Sequence, residues 1–326
     1  MDCPPTLTLH IGIPKTASTW LQEVVFPQLD DIVFCPTPAN TLFHSAEDTA
    51  NRLMASCVRR SSRVWEQYGD AIFAELFGDK QLWLRHPKNA LVSDESFGRH
   101  GSRPEHLQSH LIAIAAKARQ WGFGSLRIIC LFRRQDQWLA SHYAQMSNRD
   151  ELPSQEGFER LVEEVVDPAR SRYMLGMLLD YSALDEALSA AVGRSNVLMM
   201  PYEMLASNER QFREKLLTFL DLPPQKEPKG REEQREETEE KQHVNQRRSG
   251  QTTWQLRAPL RSGWRRKLNS AARKLGIAAD APRTITLTPA ATQRVLQAFD
   301  DSNRRLQHAL DLDLAQYGYL GGPAPD

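Results

Sequence analysis

Five short apolar, β-rich runs with helical patterns between them constrain this chain more than any other feature. The runs cover residues 7–13, 31–35, 90–93 and 126–132, with a fifth, NVLMMPYE, at 196–203. Each is too continuous to be half exposed, which is the mark of strands covered on both faces. Helical periodicity falls at 19–29, 104–121, 135–146, 155–166, 175–191 and 207–220, with a last helix at 289–310. Strands alternating with helices predict an α/β fold with a central, mostly parallel sheet flanked by helices. No internal repeat is present, and a single domain over residues 1–326 is expected. Within it, 225–250 is a charged, solvent-exposed loop. Residues 251–326 are expected to be a helical C-terminal part. The basic stretch 257–274, with Trp264 and Leu268 interleaved, is either an amphipathic element with its charges in solvent or a patch for a polyanion or a membrane surface.

Open parallel sheets bind ligands outside the carboxyl ends of their strands, so the chemistry is sought where apolar runs stop. The first stops in IPKTASTWLQ. The N–H groups that open a helix have no intrahelical partner, and the helix dipole adds about half a positive charge there. Lys15 contributes a formal charge, and Thr16, Ser18 and Thr19 contribute hydroxyls. Helix capping by Ser18 or Thr19 accounts for one hydroxyl, but not for a lysine beside three. The G-x-x-x-x-G-K-[ST] spacing of nucleoside triphosphate loops is absent.

The second site is FRRQDQWLASHY, where a strand ends in Arg133 and Arg134 and a helix follows. Ser141 stands eight residues after Arg133, which would let a guanidinium fork and a hydroxyl take a second oxyanion, although taken alone the pair reads equally as a surface arginine and a solvated helix serine. A magnesium-dependent phosphoryl transferase wants a carboxylate at such a strand end. Arginine there favours direct anion binding without a metal. The third site is LVSDESFGRHG, which presents Asp94 and Glu95.

IPKTASTWLQ resembles the 5′-phosphosulfate loop of the PAPS-dependent sulfotransferases (PAPS is 3′-phosphoadenosine 5′-phosphosulfate), usually P-K-[ST]-G-[ST]-[ST]-W. FRRQDQWLASHY resembles that family's 3′-phosphate motif, and LVSDESF and LMMPYEML resemble segments of its bacterial members. The resemblance covers the N-terminal two-thirds of the chain. It implies a three-layer fold of P-loop type and transfer of a sulfonate group from PAPS to an acceptor hydroxyl or amine, with 3′,5′-ADP as product and no metal; a carbohydrate or glycolipid hydroxyl is the expected acceptor, with small phenols, peptides and nodulation-type oligosaccharides as alternatives. By position, Pro14, Lys15, Thr16, Ala17, Ser18 and Thr19 would hold the 5′-phosphosulfate. Trp20 would lie near the adenine or in the helix core, and Arg133 and Ser141 would take the 3′-phosphate. Asn245, Arg247 and Arg248 of HVNQRRSG would close over the cofactor or remain a solvated loop. Lys15 and Glu95 are the expected catalytic residues, with Asp94, His86 and His100 as other bases. Arg99 and His100 would position the acceptor. Ala17 departs from the family's glycine, and the cost of a Cβ at positive φ predicts a right-handed or extended conformation there.

Composition narrows the partners. Lys+Arg and Asp+Glu each number 41, so net charge is zero and neither nucleic acid nor an anionic membrane is the expected partner. Cys3, Cys35, Cys57 and Cys130 form no C-x-x-C pair. Cys130 sits in an apolar run as a buried reduced thiol, which fits a reducing compartment. No run reaches the roughly 18 apolar residues of a membrane span. The N-terminus lacks the basic opening of a signal peptide, so a cytoplasmic location is expected. Two rival readings share these features: a P-loop kinase-like enzyme, and a non-catalytic protein that binds nucleotide or polyanion.

Overall fold

A computed structural model describes residues 4–36, 60–95, 97–99, 103–149, 153–167, 169, 179–223, 250–257 and 283–320. Strands β1 (Thr6–His10), β2 (Ile32–Pro36), β3 (Asn89–Ser93), β4 (Ser125–Phe132) and β5 (Val197–Pro201) form one parallel sheet in the order β2-β3-β1-β4-β5. β1 is central, with Leu9 opposite Val92 on one side and Ile128 on the other.

Side-chain alternation divides the interior between the two faces. Leu7, Leu9, Val92, Ile128 and Cys130 point to one core. That core is closed by α2 (Val64–Phe77), α4 (Pro104–Gln120) and α7 (Tyr181–Val192), among others. Leu91, Ile129, Leu131 and Met200 point to the other, closed by Trp20, Val24 and Phe26 and by Phe212 and Leu216 of α9 (Glu209–Phe219). Both faces are therefore dry, which is why the strands read as unbroken apolar runs. Cys130 is buried, and burial pushes its thiol up.

Several expectations change in detail. The segment expected as one helix from 19 to 29 is a short α-turn, α1 (Ser18–Trp20), that runs into a π-helical stretch Leu21–Val25 and a 3₁₀ turn Phe26–Gln28. The helix expected at 207–220 is α9, and a short α8 (Tyr202–Ser207) precedes it, taking Tyr202 and Glu203 from the run expected as the fifth strand. Asn208 separates the two at φ −150° and caps the second by accepting from Gln211 N–H. α2 and the short α3 (Lys80–Arg85) were not expected from the sequence. α5 (Gln135–Met146) and α6 (Gln155–Val166) match their periodicity.

The C-terminal part is not purely helical. β6 (Thr253–Gln255) and β7 (Thr284–Thr286) pair antiparallel, with Trp254 opposite Ile285. α10 (Pro289–Leu310) follows, started by Thr288, whose hydroxyl accepts from Ala291 N–H, and it packs on α5, α6 and α7. Among the described residues no helix is long and apolar enough to cross a membrane.

Candidate active site at the carboxyl edge of the sheet

Beyond β1 the chain keeps sheet-like bonds to β4, with Ile11 N–H donating to Ile129 O (3.0 Å) and Ile13 N–H to Leu131 O (2.8 Å). The loop proper therefore begins at Pro14. Lys15 has φ 75° and Ala17 has φ 65°, while Thr16 between them keeps negative φ. Such alternation turns successive N–H groups toward one concavity, an anion-binding nest. Ala17 is thus left-handed, against the right-handed or extended conformation expected for a residue with a Cβ. The loop is held in that shape from outside. Thr16 donates its hydroxyl to Ile13 O (2.5 Å), and Trp138 Nε1 of α5 donates to Pro14 O (2.8 Å). Thr16 spends its one proton inside the loop, which leaves the nest N–H groups and Lys15 as the better anion donors. Ser18 is buried, Thr19 is exposed and Lys15 is half-buried. Trp20 lies in the core, edge-on to Phe212 at 6.4 Å, with the Arg213 guanidinium 5.1 Å from its ring.

The carboxylate segment after β3 is stitched to the same loop. Asp94 N–H donates to His10 O (2.9 Å) and Gly98 N–H to Ile11 O (2.9 Å). A Cβ on Gly98 would stand 2.4 Å from Ile11 O, so only glycine allows this approach. Glu95 is thereby laid over Gly12, whose own added Cβ would meet Glu95 Cα and Cβ at 3.5 Å. Burial raises the Glu95 carboxyl above the usual range, while Ser18, Arg99 and Lys15 pull the other way. Asp94 is buried and Arg99 is exposed. Under them, His10 Nδ1 and Gln22 Nε2 both reach Ser93 Oγ (2.7 and 2.8 Å), and burial takes the His10 imidazole down to about 3. His86, an alternative base from the sequence, caps the end of α3 ahead of β3 and is exposed. It lies at the amino end of the strand, at the wrong edge of the sheet.

The Arg133–Arg134 turn after β4 is built differently. Arg133 is 3% exposed; its guanidinium lies 4.9 Å from the Tyr202 ring and donates to Gln137 Oε1 (3.3 Å). Arg134 is committed to Asp136 through two bonds, of 2.7 and 3.0 Å. Ser141 is half-buried on α5, two turns along. One neighbour was missed from the sequence. His142 stacks flat on Trp138, four residues earlier (4.5 Å, 9°), and burial with Arg99 and Lys15 takes it down to about 4. It is a neutral imidazole in the field of the same cations as Glu95. The Trp138–His142 spacing on one helix face was the available signal.

His100, Asn245, Arg247, Arg248 and most of the 257–274 stretch lie outside the described residues. Among the described residues no three His, Cys, Asp or Glu side chains converge as metal ligands. A cavity of about 220 Å³ opens at the opposite, amino-terminal edge beside Thr8, Asn89 and Arg127, away from these groups.

Fold and site together define a parallel α/β protein with a loop of alternating backbone handedness after its first strand and a basic turn after the neighbouring one. Residues 5–276 match the sulfotransferase domain, and the chain belongs to the sulfotransferase family. Two solved structures are similar. A sulfotransferase from Alicyclobacillus acidocaldarius is 15% identical over 76% of this chain and 94% of its own, with a TM-score of 0.42. The mouse sulfotransferase SULT7A1 complexed with PAP is 15% identical over 97% of this chain and 88% of its own, with a TM-score of 0.46. No curated protein matches the sequence.

Proposed function

We propose that the protein transfers a sulfonate group from PAPS to an acceptor hydroxyl of a carbohydrate or glycolipid, by in-line displacement. One observation carries the reading: the loop with Lys15, the Glu95 segment and the Arg133 turn each follow the carboxyl end of one of three neighbouring strands, β1, β3 and β4. The donor set suits PAPS, since two separate groups of cations and hydrogen-bond donors match a ligand with two anionic ends. A carbohydrate or glycolipid acceptor fits the bacterial character of the resemblance, and no spacing in residues 43–99 names a substrate.

When bound, PAPS supplies the sulfonate and a phosphate leaving group. Pro14 to Thr19 shape the pocket for that phosphate, with Trp20 packed beneath. The N–H groups of the nest and Lys15 hold the negative charge that develops there; one preorganised donor of this kind is worth about 2.7–4 kcal/mol of barrier. Glu95 takes the proton of the acceptor hydroxyl. Its burial moves the carboxyl toward the range in which a general base works best near neutral pH, typically worth about 10²–10⁴-fold. Arg99 helps orient the acceptor. Arg133 and Ser141 hold the 3′-phosphate.

The test is incubation with ³⁵S-labelled PAPS and a panel of glycan and glycolipid acceptors, in excess EDTA. Wild type is expected to label an acceptor, Lys15→Ala to label it about 10²–10³-fold more slowly, and Glu95→Gln to bind 3′,5′-ADP without turnover. Wild-type-like turnover in Glu95→Gln removes Glu95 from the base role. Failure of wild type to bind 3′,5′-ADP sinks the reading.

A further inference from the structure

The Arg133–Arg134 turn is gripped by side chains that the transfer reaction leaves unassigned. Glu203 of α8 is buried and accepts Arg134 N–H on Oε1 (3.0 Å) and the Tyr319 hydroxyl on Oε2 (2.7 Å). Tyr181 donates its hydroxyl to Arg133 O (2.6 Å). The peptide between the two arginines is therefore fixed through its oxygen and its N–H together. The neighbouring residue is fixed as well. Gln135 Nε2 donates to Asn303 Oδ1 of α10 (2.6 Å), and Asn303 Nδ2 donates to Tyr319 O (2.9 Å). The Tyr319 ring packs edge-on against Phe132, the last residue of β4 (5.5 Å). Gly318, at φ 75°, brings the tail so close that a Cβ there would stand 2.9 Å from Arg134 Nη1.

Asn303 and Tyr319 lie beyond residue 276, where the family match ends. A segment outside the matched domain thus completes the wiring of a turn inside it. We propose that Glu203 and Tyr319 are positioning residues for Arg133, through which the C-terminal segment sets the preference of the site for a nucleotide that carries a 3′-phosphate. The inference rests on the assignment of Arg133 to that phosphate. Its physical basis is direct. Rotation of the 133–134 peptide re-aims the Arg133 side chain, and both bonds that oppose rotation end on buried side chains, where a lost partner is costly.

The experiment titrates the full chain with 3′,5′-ADP and with 5′-AMP by calorimetry, for wild type, Tyr319→Phe and Glu203→Gln. Thermal unfolding is followed in parallel. Tyr319→Phe removes one oxygen and is expected to weaken 3′,5′-ADP about tenfold, with 5′-AMP unchanged. Glu203→Gln, whose amide cannot serve both donors as the carboxylate does, is expected to weaken it further. Lys117→Met breaks the remote bond to Asp70 (2.8 Å) and should lower the melting temperature without moving the ratio of the two affinities. That separates positioning from general stability. If both tail variants keep the wild-type ratio, the inference is overturned while the Arg133 assignment stands. If wild type binds the two nucleotides alike, the assignment falls and the inference falls with it.

Discussion

The loop after β1 and the turn after β4 sit on neighbouring strands and face the same edge, yet they are built on opposite principles. The loop relies on backbone conformation. Two residues with side chains, Lys15 and Ala17, occupy the left-handed region, at about 1–3 kcal/mol of strain each. The turn has no residue at positive φ but removes charges from water: Arg133, Asp136 and Glu203 are all buried. The difference follows from the donor each must aim. A nest uses main-chain N–H groups, so the main chain itself must be bent. A guanidinium is aimed by fixing the peptide below it and packing its flanks, which Tyr181, Glu203 and Tyr202 do. Trp138 belongs to both regions, since it stands on the helix opened by the turn and bonds to Pro14 of the loop.

The sharpest break of this comparison is kinetic. Lys15→Ala should lower kcat at saturating donor by about 10²–10³-fold. Arg133→Gln should instead raise the Kd for 3′,5′-ADP by about 10–100-fold, the worth of hydrogen bonds to a charged group. Steady-state kinetics and calorimetry on the two variants decide it; equal loss of binding in both erases the division of labour.

Acid acts next, with opposite sign on the two sides. His10, below the loop, is neutral in the fold with its pKa lowered to about 3, so unfolding binds a proton below pH 6.5. Its contribution to stability is intact above pH 6.5 and is lost progressively as pH falls toward 3. Between pH 7 and pH 5 that amounts to about 2 kcal/mol. Urea unfolding across this window should show the loss, and His10→Gln should flatten it. Glu203, below the turn, is raised by burial, so the fold holds its proton more tightly than the unfolded chain does. Its contribution falls as pH rises from the ordinary glutamate range through the raised value, and Glu203→Gln should remove that slope.

The smallest effect is the most specific to the loop. Ala17→Gly should stabilise by about 0.5–1 kcal/mol, relief of left-handed strain being partly offset by the freer unfolded chain. Transfer activity should be retained. Destabilisation on chemical unfolding would show that the Ala17 methyl, which packs toward the second core, outweighs the strain.

The sequence was readable where a physical signal is local. Continuous apolar runs marked the five strands to within a few residues, and α5, α6 and α10 follow their periodicity. The three strand ends were readable because Lys15, Glu95 and Arg133 each follow an apolar stop. What escaped is set by tertiary contact. Ala17 takes a conformation its own propensity disfavours because Trp138 and Thr16 hold the loop around it. The β6–β7 ribbon has three residues per strand, too few for a period of two to register. α8 starts inside the run NVLMMPYE, whose apolar character reads as strand as far as Glu203. The grip of Glu203 and Tyr319 joins residues 116 positions apart and leaves no trace in spacing.

Gly98 carries a consequence for how such a protein can be retuned. With its amide on Ile11 O and no room for a methyl group, the carboxylate segment and the loop after β1 are one rigid casting. Insertions or deletions between Ser93 and Gly98 would disturb the carboxylate segment and the loop after β1 at once. New acceptor preferences must therefore be grafted elsewhere along the rim, onto segments that do not share a wall with the nest.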